Sequence, residues 1–379
     1  MTEPCNKVLY ISAPVGSGHV RAAKAVGLAM RGLDAEVTVD YADFFHFFSP
    51  YIGQTILKSY FAILDVFPQL YGKMYGWGNT SPLALKGQEL VNGYLAERIY
   101  RYIKQTSPSA IVCTHATPAG LTAYLIKKAG LAIPVFGVVT DFTIHRLWVY
   151  PELTGYFVAN ETMREMLAVH GVGHEKSFAL GIPVDQKFSL IYSKEKARTS
   201  LSLSQDRKTV LLMGGGAGVM PMTKIIRACD DTGLSLTILA VAGNNRSLYR
   251  QLEKTKQQLK NCELKIYGYV DNVHELMAVS DLLISKPGGM TSAEALSLGL
   301  PMLIYRPIPG QEEANTRYLI EKKAALKAGS LEEVQVILQT LFVVCPERLE
   351  ELGLCSRGEG RPQAAEGIAK NILKTMRNA

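Results

Sequence analysis

The stretch that decides the fold is SDLLISKPGGMTSAEALSLGLPMLIYRPIPGQEEAN, Ser280–Asn315. An apolar run ends at Ser285, a Pro-Gly-Gly turn follows, a helical pattern begins near Thr291, and a second apolar run ends at Tyr305. Short apolar runs bounded by glycine and proline are typical of buried parallel strands. The stretch therefore predicts a strand–helix–strand unit whose glycine turn faces a ligand at the carboxyl end of the first strand.

The same alternation of apolar runs and helical patterns extends through the whole chain. The earlier runs are Val8–Ile11, Ala35–Val39, Ala110–Cys113, Val135–Val139, Tyr156–Ala159 and Ser177–Leu180. The later runs are Thr209–Met213, Leu236–Val241, Lys265–Tyr267, Leu282–Ser285 and Pro301–Tyr305. A chain of 379 residues is long for a single core. We therefore expect an α/β protein with two doubly wound, Rossmann-like domains and a ligand cleft between them.

The two series of apolar runs give the expected domain bounds. The expected domains are residues 1–185 and 206–360, with a linker over 186–205 and a C-terminal helix over 361–379 that could pack back on the first domain.

The composition limits the classes of partner. The 41 Lys and Arg exceed the 34 Asp and Glu, but they are spread out, which favours phosphates or anionic lipid over nucleic acid as the partner. The 6 cysteines form no C-x-x-C pair and are expected to be reduced thiols. We expect neither a signal peptide nor a membrane span, because a strand starts near the N-terminus and no run of about eighteen apolar residues occurs.

A second glycine-rich turn lies near the N-terminus, in SAPVGSGHVRAAKAV, Ser12–Val26. It is no Walker A loop, because the Gly-Lys-Ser/Thr ending is missing. Gly16 and Gly18 fit the first two glycines of the G-x-G-x-x-G motif that binds NAD, but Arg21 stands where the third glycine is required. The match to this motif is therefore weak, although Asp40 lies about where an acidic residue would bind the ribose. The residues leave two alternatives, a plain strand–helix corner and a ligand-facing turn that presents His19.

Two further features of the sequence can each be interpreted in two ways. Thr291-x-x-Glu294 fits a capping box, which the local pattern favours, or a carboxylate that holds a ribose diol. The segment from Phe44 to Trp77 contains 11 of the chain's 32 aromatic residues. That density fits an element that meets membrane lipid, or an amphipathic helix pair packed on the domain.

Several motifs, in this order, resemble one group of glycosyltransferases: GSGH, VVTDFTIHRLWV, GIPV, MGGGAG, GNN, GYVDN, SKPGGMTSAEALSLGLP and PGQE. The chain resembles the plant monogalactosyldiacylglycerol synthases and, more closely, the bacterial processive diacylglycerol β-glucosyltransferases of glycosyltransferase family 28. Both are relatives of the bacterial transferase that adds N-acetylglucosamine to lipid I. The resemblance runs from about Val8 to Ala324 and implies a GT-B fold.

The resemblance also implies which residues bind the substrates. Gly288 to Thr291 would bind the diphosphate of the donor, Glu294 the ribose, Gln311 and Glu312 the sugar, and Tyr269 and Val270 the uracil. The complete set of expected donor-binding residues is Gly214, Gly215, Gly216, Asn244, Tyr269, Val270, Gly288, Gly289, Met290, Thr291, Glu294, Gln311 and Glu312. The expected acceptor-binding residues are Gly18, His19, His145 and Trp148.

The implied reaction is an inverting transfer of a hexose from a UDP-sugar to diacylglycerol or a glycosyl-diacylglycerol, without a metal or other cofactor. Such a transfer needs a base for the acceptor hydroxyl; His19 and Asp141 are the two candidates, and the sequence does not choose between them. The enzyme would be bacterial, peripheral on the cytoplasmic face of an anionic membrane, with UDP-glucose favoured and UDP-galactose as the other donor. The alternatives are the lipid I transferase activity and a UDP-sugar sensor without turnover.

Overall fold

The computed structural model describes residues 6–13, 16–48, 82–214 and 220–378, with side chains in the third range from residue 93 onwards. The chain divides into two compact units. The first contains Met1–Gln186, Ile308–Gln311 and Gln363–Ala379, and the second contains Lys187–Pro307 and Glu312–Pro362. The last helix of the chain thus belongs to the first unit.

The first unit is built on a six-stranded parallel sheet with the strand order β2-β1-β3-β4-β5-β6. Its strands are β1 (Lys7–Ser12), β2 (Thr38–Asp43), β3 (Ala110–Cys113), β4 (Val135–Val138), β5 (Gly155–Val158) and β6 (Ser177–Ala179). The strand order reverses between β1 and β3. In open α/β sheets the ligand crevice lies at such a reversal, beyond the carboxyl ends of the strands.

Helices cover this sheet. They are α1 (Gly18–Leu33), α2 (Pro82–Thr106), α3 (Ala116–Ala129), α4 (Glu161–Val169) and the C-terminal helix, with short 3-10 helices at Phe44–Phe47, Arg146–Trp148 and His174–Lys176. The C-terminal helix (Ala364–Asn378) buries Ile368 and Ile372 in the core of the first unit. Arg377 on this helix also pairs with Asp34 at 2.8 Å, just after α1.

The second unit repeats the design with a six-stranded parallel sheet in the order β12-β11-β10-β7-β8-β9. Its strands are β7 (Lys208–Met213), β8 (Leu236–Val241), β9 (Glu263–Tyr267), β10 (Leu282–Ser285), β11 (Met302–Tyr305) and β12 (Ala325–Ala328). Its helices are α5 (Lys194–Ser200), α6 (Met222–Asp231), α7 (Arg246–Lys256), α8 (Val273–Val279), α9 (Gly289–Ser297), α10 (Gln311–Glu321), α11 (Leu331–Gln339) and α12 (Pro346–Glu359), with a π-helix at Thr340–Val344 and a 3-10 helix at Gln186–Ser189. We number the C-terminal helix α13. The strand order reverses between β7 and β10.

Three local predictions need correction. The second strand begins at Thr38 rather than Ala35, so Asp40 lies inside it and pairs with Lys7 at 3.7 Å instead of ending the strand where a ribose would bind. The strand Ala325–Ala328 was not predicted, because an edge strand of four residues carries little apolar pattern. Residues 186–205, predicted as a linker, include the helix α5, whose Lys194 pairs with Asp281 at 2.7 Å.

Two further observations concern the cysteines and the length of the helices. Within the described ranges, Cys113, Cys229, Cys262, Cys345 and Cys355 are free thiols. None of the helices that the structure describes is both long and apolar enough to cross a bilayer.

Candidate functional site

In the first unit, three turns at the carboxyl ends of adjacent strands bring polar side chains together. His19 is the second residue of α1, the first helix after β1. Thr114 and His115 follow β3, and the residues after β4 include Thr140 and Asp141. Parallel strands end at the same edge of a sheet, so residues that are distant in sequence become neighbours there. This cluster lies at the reversal of strand order.

The imidazole of His19 is fixed through one ring nitrogen. Its Nδ1 lies 2.7 Å from the carbonyl oxygen of Thr114 and 2.9 Å from the hydroxyl oxygen of Thr140. A carbonyl oxygen can only accept, so Nδ1 carries the proton and donates it to Thr114. The lone pair of neutral His19 is therefore on Nε2, which makes that atom the proton acceptor.

The pKa of His19 is lowered from its ordinary value. Burial is the largest cause, because a low-dielectric environment disfavours the imidazolium; the nearby Asp141 and the bond to Thr114 act in the opposite direction. The sequence predicts a lowered pKa from the helix N-terminus, and the direction is the same, but desolvation dominates. His19 is thus a neutral imidazole at pH 7.

Asp141, the rival base, is 9% exposed. The side-chain amide of Gln311, which groups with the first unit, donates a hydrogen bond to the Asp141 carboxylate. One expected donor-binding residue and one expected catalytic residue are therefore in direct contact.

Of the other expected acceptor-binding residues, Gly18 is half-buried, and His145 and Trp148 are buried. Gly18 is the first residue of α1. The Nδ1 of His145 accepts the backbone N–H of Leu147 at 3.1 Å and so caps the 3-10 helix Arg146–Trp148. The Trp148 ring is 6% exposed and lies beside Gly137 of β4. Both side chains thus stabilise the loop that follows Asp141.

In the second unit, the reversal of strand order places the end of β7 beside the end of β10, which the Pro-Gly-Gly turn follows. The hydroxyl of Ser285, at the end of β10, donates to the carbonyl oxygen of Met213, at the end of β7, at 2.8 Å. Gly214 follows Met213 and is buried. The predictions for Gly215 and Gly216 lie outside the described residues.

The Pro-Gly-Gly turn leads into α9 earlier than predicted. The helix begins at Gly289, with Gly288 as its N-cap and no side-chain capping bond. Thr291 is therefore inside the first turn, and the capping-box interpretation of Thr291 and Glu294 is wrong. A Cβ on Gly288 would meet no atom within 4 Å, so open space adjoins the backbone N–H groups at the start of α9. Those groups are suited to bind a phosphate.

Two buried polar side chains, Glu294 and Asn315, lie in the helices α9 and α10. Glu294, in α9, is fully buried, as are most residues of that helix, including Met290. Keeping a carboxylate away from water costs free energy, which is more usual at functional sites than elsewhere. Asn315, in α10, is 1% exposed, and its amide donates to the carbonyl oxygen of Pro287 at 3.0 Å. Asn315 thereby fixes the Pro-Gly-Gly turn.

The remaining expected donor-binding residues are more accessible. Asn244 is exposed after β8, whereas its neighbour Asn245 caps α7 by accepting the backbone N–H of Leu248 at 2.9 Å. Tyr269 is 69% exposed after β9. Val270 and Glu312 are half-buried. All of these residues follow the carboxyl ends of strands in the second-unit sheet, as Gly214 and Gly288 do.

Asp230, the first of two consecutive acidic residues at the end of α6, has a structural role. The Asp230 carboxylate accepts backbone N–H bonds from Lys260, Asn261 and Cys262 at 2.8–3.1 Å. Across the described residues, we find no cluster of three or more His, Cys, Asp or Glu side chains able to hold a metal ion.

Four residues of the site were not predicted: Thr114, His115, Thr140 and Asn315. The strand-end motifs THATP and VVTDF contain three of them, but nothing local shows that these side chains or carbonyls meet His19. Asn315 ends the quoted PGQEEAN stretch, and its partner Pro287 is distant in sequence.

Comparison with known proteins agrees with this architecture. A family model described as Monogalactosyldiacylglycerol (MGDG) synthase matches residues 19–184, and one described as Glycosyltransferase family 28 C-terminal domain matches residues 209–340. A processive diacylglycerol beta-glucosyltransferase of Bacillus cytotoxicus is 30% identical over 371 residues, covering 97% of this chain and 93% of that protein. One from Bacillus cereus is 31% identical over 320 residues, covering 84% and 81%.

Solved structures share the fold at lower identity. MurG of Acinetobacter baumannii superposes with a TM-score of 0.64 at 16% identity, over 97% of this chain and 99% of that one. The UDP-GlcNAc 2-epimerase of Neisseria meningitidis, solved with UDP-GlcNAc, gives 0.61 at 15% identity, over 97% and 100%. HepE of Anabaena, in complex with UDP, gives 0.59 at 13%, over 98% and 100%. These likenesses show the fold.

The two Rossmann-like units and the family 28 C-terminal domain define a glycosyltransferase of the GT-B fold. The chain belongs to the family of the processive diacylglycerol beta-glucosyltransferases and monogalactosyldiacylglycerol synthases. The family, fold class and enzyme class predicted from the motifs are therefore confirmed.

Proposed function

We propose that this enzyme transfers a hexose from a UDP-sugar to diacylglycerol or a glycosyl-diacylglycerol with inversion at the anomeric carbon. UDP-glucose is the favoured donor, because relatives that match 97% of this chain are named as glucosyltransferases. The observation that carries the proposal is the neutral His19, whose Nδ1 is fixed by Thr114 and whose Nε2 can accept a proton. A protein that only binds nucleotide sugar needs no such base.

The second unit would bind the donor. The backbone N–H groups at the start of α9 would hold the diphosphate, with open space beside Gly288 for its approach. Glu294 would accept hydrogen bonds from the ribose hydroxyls, and Tyr269 would lie against the uracil. Fixed N–H dipoles stabilise the negative charge that develops on the leaving UDP, and they need no rearrangement during the reaction.

The first unit would supply the base. Nε2 of His19 would take the proton of the acceptor hydroxyl as its oxygen bonds to the anomeric carbon, while the bond from that carbon to the diphosphate breaks and UDP leaves. The charge of Asp141 would stabilise the imidazolium that forms. Gln311, held by Asp141, would place its amide next to the reacting groups.

We further propose that the enzyme works as a peripheral protein on the cytoplasmic face of an anionic membrane. The aromatic segment 44–77 would contact the lipid, but only Phe44 to Phe48 lie within the described residues. Next to them is a cavity of about 400 Å³ whose lining includes Phe47, Tyr102, Arg98 and Arg101, together with one acidic residue, Asp43. Aromatic rings beside cationic side chains suit a headgroup region.

The decisive experiment is a product assay with purified full-length enzyme, diacylglycerol vesicles, and UDP-glucose, UDP-galactose and UDP-N-acetylglucosamine in parallel. We expect glucosyl-diacylglycerol from UDP-glucose. A product formed only from UDP-N-acetylglucosamine and lipid I would establish the alternative transferase activity. Calorimetric binding of UDP-glucose with no lipid product under any condition would indicate a sensor.

Membrane docking is tested by vesicle co-sedimentation at several salt concentrations and contents of anionic lipid. Replacing both Arg98 and Arg101 with Ser should weaken binding to anionic vesicles, by about 1 kcal/mol per cation, and should have less effect at high salt. The matched control replaces Arg164, which is paired with Glu161 on α4. Equal sedimentation of the double variant and the control at every salt concentration contradicts docking through this surface.

A further inference from the structure

A second imidazole, that of His115, contacts the candidate base. The ring centroids of His19 and His115 are 4.8 Å apart, and the ring planes cross at 86°. His115 follows Thr114, whose carbonyl oxygen accepts the Nδ1 proton of His19. Two consecutive residues after β3 therefore hold His19, one through a hydrogen bond and the other through its ring.

The position and tautomer of His115 are themselves fixed. Its Nδ1 accepts the backbone N–H of Thr117 at 3.1 Å, which makes His115 the N-cap of α3. When neutral, His115 therefore carries its proton on Nε2. The neutral forms of the two neighbouring histidines are thus opposite tautomers, with the free lone pair on Nε2 of His19.

The surroundings of the pair oppose a double positive charge. Burial lowers the pKa of His115 well below its ordinary value, and the His19 charge lowers it further. The charged group acting on His19 is Asp141, which opposes the effect of burial, as does the Thr114 carbonyl. His115 thus stays neutral while His19 titrates, and its ring packs against the ring of His19.

We propose that His115 is a positioning residue that holds the His19 ring in its neutral, Nδ1-protonated form and keeps water away from it. The importance of this for turnover rests on the proposed function of His19 as the base. The direct effect on the His19 imidazole does not depend on turnover and can be measured in the protein alone.

The test variant is His115→Asn, because asparagine is also a good N-cap and so keeps the bond to Thr117 while removing the ring. The control is His170→Asn, because His170 is exposed at the end of α4 and is not one of the expected site residues. Histidine titrations by NMR, with the His19 signal assigned from its loss in His19→Ala, measure the pKa in each full-length protein.

In wild type and in His170→Asn, we expect His19 to titrate below its ordinary pKa of about 6.5. In His115→Asn, the titration should move up toward that value, because water reaches the ring. The acid limb of kcat should move with it, and kcat at pH 7 should fall about tenfold with an unchanged KM for the UDP-sugar, since orientation of the base is lost.

An unchanged His19 titration in His115→Asn, equal to that of the control, overturns the proposal. If wild type makes no glycolipid, the proposed function fails, but the titration still decides the role of His115. His115→Ser, which also suits an N-cap, gives the same measurement if the Asn variant does not fold.

Discussion

The replacement His19→Ala tests the mechanism most directly. The Nδ1 proton of His19 is donated to Thr114 at 2.7 Å, so the variant loses the one imidazole lone pair that is available on Nε2. A placed base typically contributes 10²–10⁴-fold to a rate, or about 3–5 kcal/mol of barrier. We expect kcat to fall by this factor. UDP affinity should change little, because the turn expected to bind the diphosphate, Gly288 to Thr291, belongs to the second unit.

The pH dependence separates His19 from Asp141. The pKa of His19 is lowered by burial, so the base form is lost only as the pH falls below its ordinary value of about 6.5. We expect an acid limb in kcat below that pH, and the limb should be absent from the residual activity of His19→Ala. An acid limb that lies lower and survives in His19→Ala would instead assign the base to Asp141.

The assay is glycolipid formation from UDP-glucose and diacylglycerol vesicles between pH 5 and 8, with UDP binding measured by calorimetry. His170→Ala serves as the control, because His170 is exposed at the end of α4 and should leave the rate unchanged. A near-normal kcat of His19→Ala across pH 6–8 would refute the reasoning, and the first glycine turn would then be a packed strand–helix corner.

Three further predictions concern donor binding and stability. Glu294→Gln should raise the KM for the UDP-sugar about tenfold or more, since each lost charge-assisted hydrogen bond to the ribose is worth roughly 1.5–3 kcal/mol. Unchanged UDP affinity of the variant in calorimetry contradicts the binding of ribose by Glu294. Asn315→Ala should lower the free energy of unfolding by about 1–3 kcal/mol and weaken UDP binding, because the buried carbonyl of Pro287 loses its hydrogen-bond donor. Denaturant unfolding measures the change in stability, and a variant as stable as wild type would contradict the prediction. The free energy of unfolding should decrease as the pH falls below about 6.5, because burial lowers the pKa of His115 and the unfolded chain then binds more protons than the folded one. Urea titrations at several pH values should show that this free energy depends less on pH in His115→Asn than in wild type. An identical pH dependence in the two proteins would contradict the prediction.

The sequence alone determined the order of strands and turns and the family. The strand Leu282–Ser285 was predicted with the bounds observed, because a short apolar run closed by Pro-Gly-Gly is a strong local signal. The motifs were equally sufficient for the family, which the family models and the curated relatives confirm. Where local signals were weak, at the edge strands β2 and β12, the predicted bounds were wrong or missing.

Only the tertiary structure decided how the candidate site is built. The start of α9 at Gly289 removed the capping box as an explanation of Glu294, which local pattern had favoured. The partners of His19 are 95 and 121 residues away, at Thr114 and Thr140. No local pattern can encode such contacts, because they arise when strands from separate parts of the chain pair in parallel and end at the same edge of the sheet. That pairing fixes the tautomer of His19, and the burial that comes with it lowers the pKa.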